Sequence, residues 1–504
     1  MRLEASDLFY LAPELTLVIF AVVLAVIDLL LPRRVSRTAL GIITLAGLVV
    51  SAAFVLYFMA DLRQLDGPIE LINHTYRVDD FANLFKLLTL AGTAIVIVLS
   101  LGDLNRQGIQ HAGEYYYLYL PAAVGAMIMA SSGDLITLYV GLELLSITTY
   151  IMAALRKAHA PSPAAGFKYM VNGSIASALI LYGMSFLYGM TGTTQIGEIR
   201  TALVMLDPSF TALTYISFFL MLAGLGFKVA AAPFHTWAAD VYQGAPTPVT
   251  AYLAVVSKAA GFAMIFRVMF NVFYNIQGPD APIYRDAMIA IMVVAALSMI
   301  VGTALALKER NMKRLLAYSG IANAGYLLVP VGVGMGGMHM SNFTEMLFYL
   351  IAYLFMNLGA FAVLTAVSRT CGHEEMSGFA GLYYRAPWTA FATVLLVLSL
   401  AGLPVSGGFI GKFYIMLGAV SGKEYWLAAI MIVTSVASFY FYFSVIRQMF
   451  MRQDHDHSGL RLGAPAGIIV WICAAASFLM GLLPKWVFQW IESVFTLMGD
   501  LFVM

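Results

Sequence analysis

The chain of 504 residues is 61% hydrophobic and only 11% charged, with a net charge of +1. Soluble proteins average roughly 45–50% apolar and 25% charged residues, so this composition excludes an ordinary soluble protein, while the net charge carries little information about partners. The sequence instead predicts an all-α polytopic membrane protein.

Hydrophobic stretches follow one another along the whole chain, and a membrane-spanning helix needs about 20 such residues. They predict about fourteen spans, at 10–31, 39–60, 81–102, 115–132, 135–155, 165–190, 210–243, 248–273, 285–307, 313–333, 341–368, 387–420, 425–450 and 464–483. Pro233 interrupts the seventh span, and Pro404 with its neighbouring glycines interrupts the twelfth. The segment after Pro484 is amphipathic, which places Trp486 and Trp490 at the depth of the lipid headgroups.

Arginine and lysine are unevenly divided between the two sides of the predicted bundle. The loops after odd-numbered spans carry fifteen of them, whereas the opposite loops and the chain ends carry seven. Because the positive loops of membrane proteins face the cytoplasm, we predict both termini on the outer side, the periplasm in a bacterium. The acidic loop DLRQLDGPIELINHTYRVDD lies on the same outer side.

A weak internal repeat is visible around the two interrupted spans. AGLGFKVAAAPFH around Lys228 resembles AGLPVSGGFIGKFYI around Lys412, and each closes a similar block of five spans. An odd number of spans in each block means that the second block is inverted relative to the first. We predict three N-terminal spans at 1–114, a first repeat at 115–273, an inverted second repeat at 285–450, and a last span with its tail at 464–504. Inverted repeats with discontinuous helices are typical of transporters whose site lies near the bilayer midplane.

Four ionisable residues lie deep inside predicted spans: Glu143, Lys228, Lys258 and Lys412. A charged side chain at the bilayer centre costs roughly 2.5–3.5 kcal/mol on insertion scales, so such residues are rare and usually functional. We interpret Glu143 as the partner of Lys228, Lys258 as a relay in the middle of a proton path, and Lys412 as its outward end. The alternative for Glu143 is a hydrogen bond to a serine or threonine of another helix. The alternative for Lys228 is a side chain that reaches the membrane surface.

Other charged residues have less central positions. His235 follows the break in the seventh span and is expected either to gate the path or to cap carbonyls that the break frees. Lys168 lies nearer the inner end of the sixth span, where a proton-transfer role and a reach to the surface are both open. Lys86 and Arg267 lie near helix ends, which predicts that they anchor their helices at the membrane surface.

Motifs for bound cofactors are weak or missing. Cys371 and Cys473 are far apart and make no ligand set for an iron–sulfur centre or a structural zinc. The glycines of 332–338 indicate a helix end and turn rather than a phosphate-binding loop. The runs HEE at 373–375 and HDH at 455–457 have poor metal-ligand spacing. We therefore predict neither a cofactor-binding residue nor a metal site in this chain.

The stretch FKVAAAPFHTWAADVYQGAPTPVTAYLAVVSKAAGF at 227–262 resembles the proton-conducting module shared by respiratory complex I and Mrp-type antiporters. With DVYQGAP at 240–246 it is most similar to the subunit N family of bacterial NADH-quinone oxidoreductase, the counterpart of NADH dehydrogenase subunit 2. Stretches at 154–193, 313–328 and 400–415 resemble the same family. The resemblance therefore covers nearly the whole chain.

This resemblance implies fourteen helices, two inverted five-helix repeats, and a hydrated axis at mid-depth in the membrane. The family's proton-transfer residues fall on Glu143, Lys168, Lys228, Lys258 and Lys412. A lysine rather than a glutamate at 412 favours subunit N over subunit M.

The chain departs from the family pattern at two positions. Ala239 replaces the usual proline after the tryptophan, and Ala164 replaces a glutamate often found four residues before Lys168. If that acid assists proton uptake in the family, the second change bears on the route through the sixth span.

The resemblance also implies a function, namely a membrane-arm subunit of proton-pumping NADH-quinone oxidoreductase, a translocase driven by quinone reduction in partner subunits. NADH, FMN, iron–sulfur clusters and quinone would be bound by those partners and not by this chain. The expected neighbours are the antiporter-like subunit M, the small subunits K and J, and lipids of a bacterial cell inner membrane, with no nucleic acid. The alternatives are a subunit of an Mrp-type Na+/H+ antiporter and a passive scaffold whose buried charges serve assembly only.

Overall fold

The computed structural model describes residues 5–32, 35–63, 67–101, 104, 108–274, 282–334, 342–452, 463–495 and 500. Within this part the chain is a bundle of helices with one two-stranded hairpin. The helices are α1 Ala5–Tyr10, α2 Ala12–Leu30, α3 Thr38–Leu62, α4 Asp80–Ser100, α5 Ala112–Ser131, α6 Leu135–Ala153, α7 Pro161–Thr191, α8 Ile196–Val204, α9 Thr211–Lys228, α10 Ala238–Gly244, α11 Thr247–Tyr252, α12 Lys258–Val268, α13 Pro282–Ala306, α14 Met312–Gly332, α15 Asn342–Cys371, α16 Leu382–Arg385, α17 Pro387–Ala401, α18 Gly407–Ser421, α19 Tyr425–Met451, α20 Ala464–Leu482 and α21 Pro484–Val494. The antiparallel strands are β1 Ile69–Leu71 and β2 Tyr76–Val78.

Twelve helices in the described part of the chain are long and apolar enough to cross a membrane. The two other predicted spans are α5, a helix of 20 residues, and the pair α17 and α18, with 15 residues each. An all-helical polytopic membrane protein is therefore confirmed. The segment α21 is a helix with Trp486 and Trp490 exposed, while its placement at the headgroups stays a prediction.

Both predicted interruptions of spans are present in the structure. The first lies between α9, which ends at Lys228, and α10, and it contains Ala230 with a φ of +57°. The second lies between α17 and α18, where Gly402 has a φ of +84°. This left-handed conformation suits glycine, because it costs other residues about 1–2 kcal/mol. The Ser406 hydroxyl then caps α18 by accepting from the Phe409 N–H at 3.3 Å.

The stretch from Thr247 to Phe273 forms the centre of the bundle, and every one of its residues is buried. It runs through α11 and α12 with two π-helical segments, one of which, Leu253–Ser257, ends directly before Lys258. Such segments are common at functional sites, because they widen the helix and re-aim side chains. The surrounding protein separates Lys258 from lipid.

The loops after the fifth, ninth and eleventh spans lie together on one side, where residues of all three line one cavity. Backbone bonds of 2.8 Å join Met312 N–H to the Glu374 carbonyl and Met376 N–H to the Arg310 carbonyl. We call this the Arg/Lys-rich side. On the opposite side, bridges join the hairpin to the end of α5 and the start of α6 to the start of α8. Which side faces the cytoplasm stays a prediction. Five of the arginines counted in the comparison of the two sides lie outside the described residues, namely Arg2, Arg33, Arg34, Arg106 and Arg461. The same holds for 335–338 of the glycine segment and for the HDH run at 455–457.

The prediction that Lys86 and Arg267 anchor their helices at the membrane surface is wrong, since both side chains are fully buried. The Lys86 ammonium lies 3.0 Å from the Glu14 carboxylate and donates to the Tyr76 hydroxyl at 2.7 Å. The Arg267 guanidinium donates to both oxygens of Asp79, at 2.8 and 3.0 Å. Glu14 of α2 and Tyr76 of the hairpin cover Lys86, and Asp79 and Asp500 cover Arg267, which sequence distance from a helix end does not reveal.

Candidate functional site

Lys228 and Glu143 approach each other but do not form a direct ion pair in the described part of the chain. The buried Lys228 ammonium donates to the Ser146 hydroxyl at 2.9 Å. The Glu143 carboxylate accepts from the Ser177 hydroxyl of α7. Glu143 and Ser146 are three residues apart and share one face of α6. The serine bond that was the alternative for Glu143 is thus present, and the expected pairing with Lys228 is indirect.

A small cavity is lined by Lys228 and by Ser177, the serine that donates to Glu143. Its volume is about 10 Å³, and Ser146, Ser177 and Lys228 line it together with Tyr150 and Phe227. A single water needs roughly 10–15 Å³ of such space and two to four polar partners, so the cavity is about one water in size. We call it the inner cavity. One bridging water would complete a hydrogen-bonded link from Glu143 to Lys228.

Lys258 lies in α12, a helix that contacts Lys228. Gly261, one helical turn after Lys258, packs against the aliphatic part of Lys228, and an added Cβ at Gly261 would stand 3.1 Å from it. The Lys258 ammonium is buried and donates to the Gly320 carbonyl of α14 at 2.6 Å. It also lies 5.6 Å from the centroid of the Tyr353 ring, a cation–π contact. Its role as a relay in the middle of the path stays a prediction.

Lys412 lies beside the second break. Its buried ammonium donates to the carbonyl of Leu400 at 3.0 Å and to that of Ala401 at 3.4 Å. The ring centroid of Tyr326 lies 4.9 Å from the same nitrogen. Both carbonyls belong to the last turn of α17, so the break supplies the acceptors for this lysine.

Neutral polar side chains lie between Lys258 and Lys412. Asn323 of α14 donates to Ser319 at 3.4 Å and accepts from the Tyr349 hydroxyl of α15 at 2.8 Å. Ser319 also shares a hydrogen bond with Tyr442 of α19. The Tyr349 ring in turn packs where a side chain at Gly411, next to Lys412, would stand. These groups form a partial hydrogen-bonded bridge between the two lysines.

Lys168 occupies a different environment. It forms an ion pair with Asp240 of α10, and the two side chains are 41% and 43% exposed. Asp240 is shared with Arg314 at 2.6 Å, and Arg314 pairs with Glu309 at 3.1 Å. A cavity of about 400 Å³ on the Arg/Lys-rich side is lined by Lys168 and Asp240 among others. We call it the outer cavity, because it is nearer the protein surface than the inner cavity. Lys168 lines the outer cavity and is not among the buried lysines Lys228, Lys258 and Lys412.

His235 lies in the non-helical segment between α9 and α10 and is half-buried. Its Nδ1 atom is buried and has no hydrogen-bond partner among the described residues. His235 thus lies within the first break, and both of its predicted roles stay predictions.

The acceptors of the three central lysines distinguish them from other buried cations. Each central lysine donates to a neutral oxygen, namely those of Ser146, Gly320 and Leu400. Three other buried cations pair with carboxylates in Lys86–Glu14, Arg267–Asp79 and Lys313–Glu374. A lysine paired with a carboxylate leaves an unpaired buried charge when it loses its proton, which is costly. A lysine held by a neutral oxygen does not.

The family described as "NADH:quinone oxidoreductase/Mrp antiporter, TM" matches residues 132–438, more than half of the chain. The chain belongs to this family. The matched region includes both breaks and all four central ionisable residues.

Relatives and solved structures agree with membership in the NADH:quinone oxidoreductase/Mrp antiporter family. A protein of Paenibacillus sp. (strain JDR-2) named NADH-quinone oxidoreductase subunit N is 51% identical, covering 99% of this chain and 98% of that protein. A chain of respiratory complex I from Thermus thermophilus with bound aureothin is 31% identical with a TM-score of 0.78, covering 95% of this chain and 98% of the other. A chain of the Mrp complex from Dietzia sp. is 19% identical with a TM-score of 0.82, covering 98% and 97%, which shows the shared fold alone.

Sequence reasoning about this member of the NADH:quinone oxidoreductase/Mrp antiporter family missed the neutral residues between the charges. Ser319, Asn323 and Tyr326 recur at helical spacing on α14, and Tyr349 and Tyr353 do so on α15. This spacing of polar residues within an apolar span was the available signal. Within the described residues no cluster of three or more His, Cys, Asp or Glu is arranged to hold a metal ion.

Proposed function

We propose that Glu143, Lys228, Lys258 and Lys412 carry protons along the middle of the membrane. The chain is a proton-translocating membrane-arm subunit of NADH-quinone oxidoreductase. The observation that supports the residue roles is the row of three buried lysines whose acceptors are neutral oxygens. Each can lose and regain its proton as neighbouring charges change, because none of the three donates directly to a carboxylate in the part of the chain that the structure describes.

In this proposal quinone reduction in partner subunits rearranges charges that act on Glu143. A shift of that carboxylate changes the charge of Lys228 through the inner cavity. Lys258 relays the change, and Lys412 exchanges protons at the far end. Lys168 supplies protons from the outer cavity, and His235 assists near the first break.

The setting of this activity is also proposed. NADH, FMN, iron–sulfur clusters and quinone bind to partner subunits, and the chain acts as part of a translocase. Its neighbours are subunits M, K and J, in a bacterial inner membrane with both termini outside. The two breaks mark equivalent points of repeats at 115–273 and 285–450, flanked by 1–114 and 464–504.

The test is proton translocation per NADH oxidised by the assembled complex in proteoliposomes. We expect Lys228→Ala or Glu143→Ala to lose most of the translocation. The matched control removes both partners of a buried pair that the proposal does not use, Lys86→Met with Glu14→Met, because replacing both partners by apolar groups of similar shape can be nearly neutral. Unchanged translocation by Lys228→Ala would contradict the assignment.

An Mrp-type antiporter subunit is the second candidate, and the 19% identity to the Dietzia chain supports only the fold. Purification of the chain with its partners distinguishes the two. Flavin and iron–sulfur subunits in the complex support the first function, and small hydrophobic subunits alone support the second.

A further inference from the structure

Two cavities lie near a group of four aromatic rings. The outer cavity, about 400 Å³, opens on the Arg/Lys-rich side and is lined by Ala165, Lys168 and Asp240 among others. The inner cavity, about 10 Å³, contains the contacts of Lys228. A proton that enters from the Arg/Lys-rich side through the outer cavity has to pass from the outer cavity to the inner cavity to reach Lys228.

The rings of Tyr150, Tyr169, Phe227 and Trp237 form one connected group, and we call these four residues the aromatic barrier. Tyr169 stacks on Trp237 with centroids 4.5 Å apart and planes 9° apart. Tyr150 meets Tyr169 edge-on at 4.7 Å, and Phe227 lies 5.1 Å from Trp237. Tyr169 and Trp237 are only 1% and 3% exposed.

The barrier lines the inner cavity with two of its own rings and is next to the outer cavity along the chain. Tyr169 follows Lys168 directly, and Trp237 lies three residues before Asp240, and Lys168 and Asp240 both line the outer cavity. Tyr150 and Phe227 line the inner cavity. Stacked rings at this separation leave no space for a water, and proton transfer over several ångströms needs water or polar groups in hydrogen-bond contact.

The barrier is tied to the first break. The Trp237 indole N–H donates to the Phe227 carbonyl at 3.1 Å, across the whole non-helical segment. Phe227 directly precedes Lys228 at the end of α9. A shift of this helix end when Lys228 changes charge would therefore move two of the four rings. On the opposite side Gly173 makes room for the Tyr150 hydroxyl, because an added Cβ there would overlap it.

We propose that the aromatic barrier is a gate for proton uptake, which in the closed form seen here insulates Lys228 from the outer cavity. When the rings separate, water joins the two cavities and Lys168 and Asp240 exchange protons with Lys228. This inference rests on the proposed role of Lys228. It assigns positioning roles, and not proton-carrying roles, to Tyr169, Phe227 and Trp237.

The experiment measures passive proton flux into proteoliposomes that contain the assembled complex without NADH, and then protons moved per NADH. We expect Trp237→Ala to raise the passive flux severalfold and to lower the coupled yield. Trp237→Phe keeps an aromatic ring at this position, and we expect its passive proton flux to stay at the wild-type level. The matched control is Phe348→Ala, which truncates a buried ring stacked on Phe488 at 4.2 Å, away from both cavities.

A double variant links the flux to the path. In Trp237→Ala with Lys228→Ala we expect the passive flux to return to the wild-type level, because the proton then has no acceptor in the inner cavity. If Trp237→Ala shows wild-type passive flux and a wild-type number of protons moved per NADH, while Lys228→Ala loses pumping, the gate is overturned and the proposed path is not. Normal pumping by Lys228→Ala overturns the path itself.

Labelling gives a readout that does not depend on pumping. Ser146→Cys places a thiol in the inner cavity, and Cys371 and Cys473 are replaced by alanine so that this thiol is the reactive one in the chain. A small water-soluble thiol reagent should react slowly with it, and faster after Tyr169→Leu, a milder variant that serves if Trp237→Ala does not assemble. Equal labelling rates with and without Tyr169→Leu overturn the gate.

Discussion

Removing one hydroxyl, in Ser146→Ala, tests whether the acceptor of Lys228 tunes proton transfer. The ammonium donates to this hydroxyl at 2.9 Å inside the inner cavity. A hydrogen bond to a charged group contributes about 1.5–3 kcal/mol and one between neutral groups about 0.5–1.5 kcal/mol. The difference of about 1–1.5 kcal/mol is lost by the charged form relative to the neutral amine. It corresponds to a roughly five- to twelvefold smaller population of the ammonium.

We therefore expect Ser146→Ala to slow NADH-driven pumping within that range while the complex still assembles. The assay follows the pH of the proteoliposome lumen with an indicator dye during NADH oxidation. Ser146→Thr retains the hydroxyl and should restore most of the rate. The matched control is Ser217→Ala, which removes another buried hydroxyl, bonded to the Gly183 carbonyl at 2.8 Å and distant from the lysines along α9. Wild-type pumping by Ser146→Ala, where Lys228→Ala is inactive, would refute the reasoning.

Three further variants probe other parts of the structure. Arg267→Met removes the hydrogen bonds to both oxygens of Asp79, which keeps Arg77 as an ion-pair partner at 3.0 Å, so we expect about 1.5–3 kcal/mol lower stability and a lower thermal midpoint of the subunit in the complex; an unchanged midpoint contradicts this. Gly402→Ala forces a side chain into the left-handed region at a cost of about 1–2 kcal/mol, and its Cβ would stand 3.3 Å from the Lys412 ammonium, so slower pumping is expected. Asn323→Leu removes the link between α14 and α15; it should lower the protons moved per NADH, and an unchanged ratio argues that this bridge is idle.

The spans and their breaks could be predicted, because crossing a bilayer requires long apolar helices and proline interrupts them. The first break shows how far this reasoning extends. In a continuous helix the ring of Pro233 would clash with the carbonyl four residues earlier, that of Val229. The helix therefore ends at Lys228 and not at the proline. The hairpin at 69–78 and the π segments were not predicted, since short strands and local widening leave no periodic signal of their own.

The buried charges could also be predicted, because their cost in lipid makes them stand out from an apolar background. Their partners could not. Ser146 and Ser177 look like any other serine in a membrane helix, and only the packing of α6 on α7 brings both to one cavity. The same limit explains the error for Lys86: a position near a helix end is solvent-facing only if no other segment covers it, and here Glu14 and the hairpin do.

Both breaks place a lysine beside a helix end, but only Lys412 donates to the carbonyls there, while the Lys228 ammonium donates to Ser146. Lys228 is the last residue of α9, and Lys412 donates to the carbonyls of Leu400 and Ala401 that end α17. The C-terminal end of a helix carries partial negative charge and stabilises a cation by up to about 2 kcal/mol in partly buried positions. Since burial of the charge costs roughly 2.5–3.5 kcal/mol, a helix end offsets much of the cost without exceeding it. A carboxylate in its place would hold the proton more firmly, as for Lys86, so an interrupted helix is better suited than an acid to a lysine that has to release its proton in every cycle.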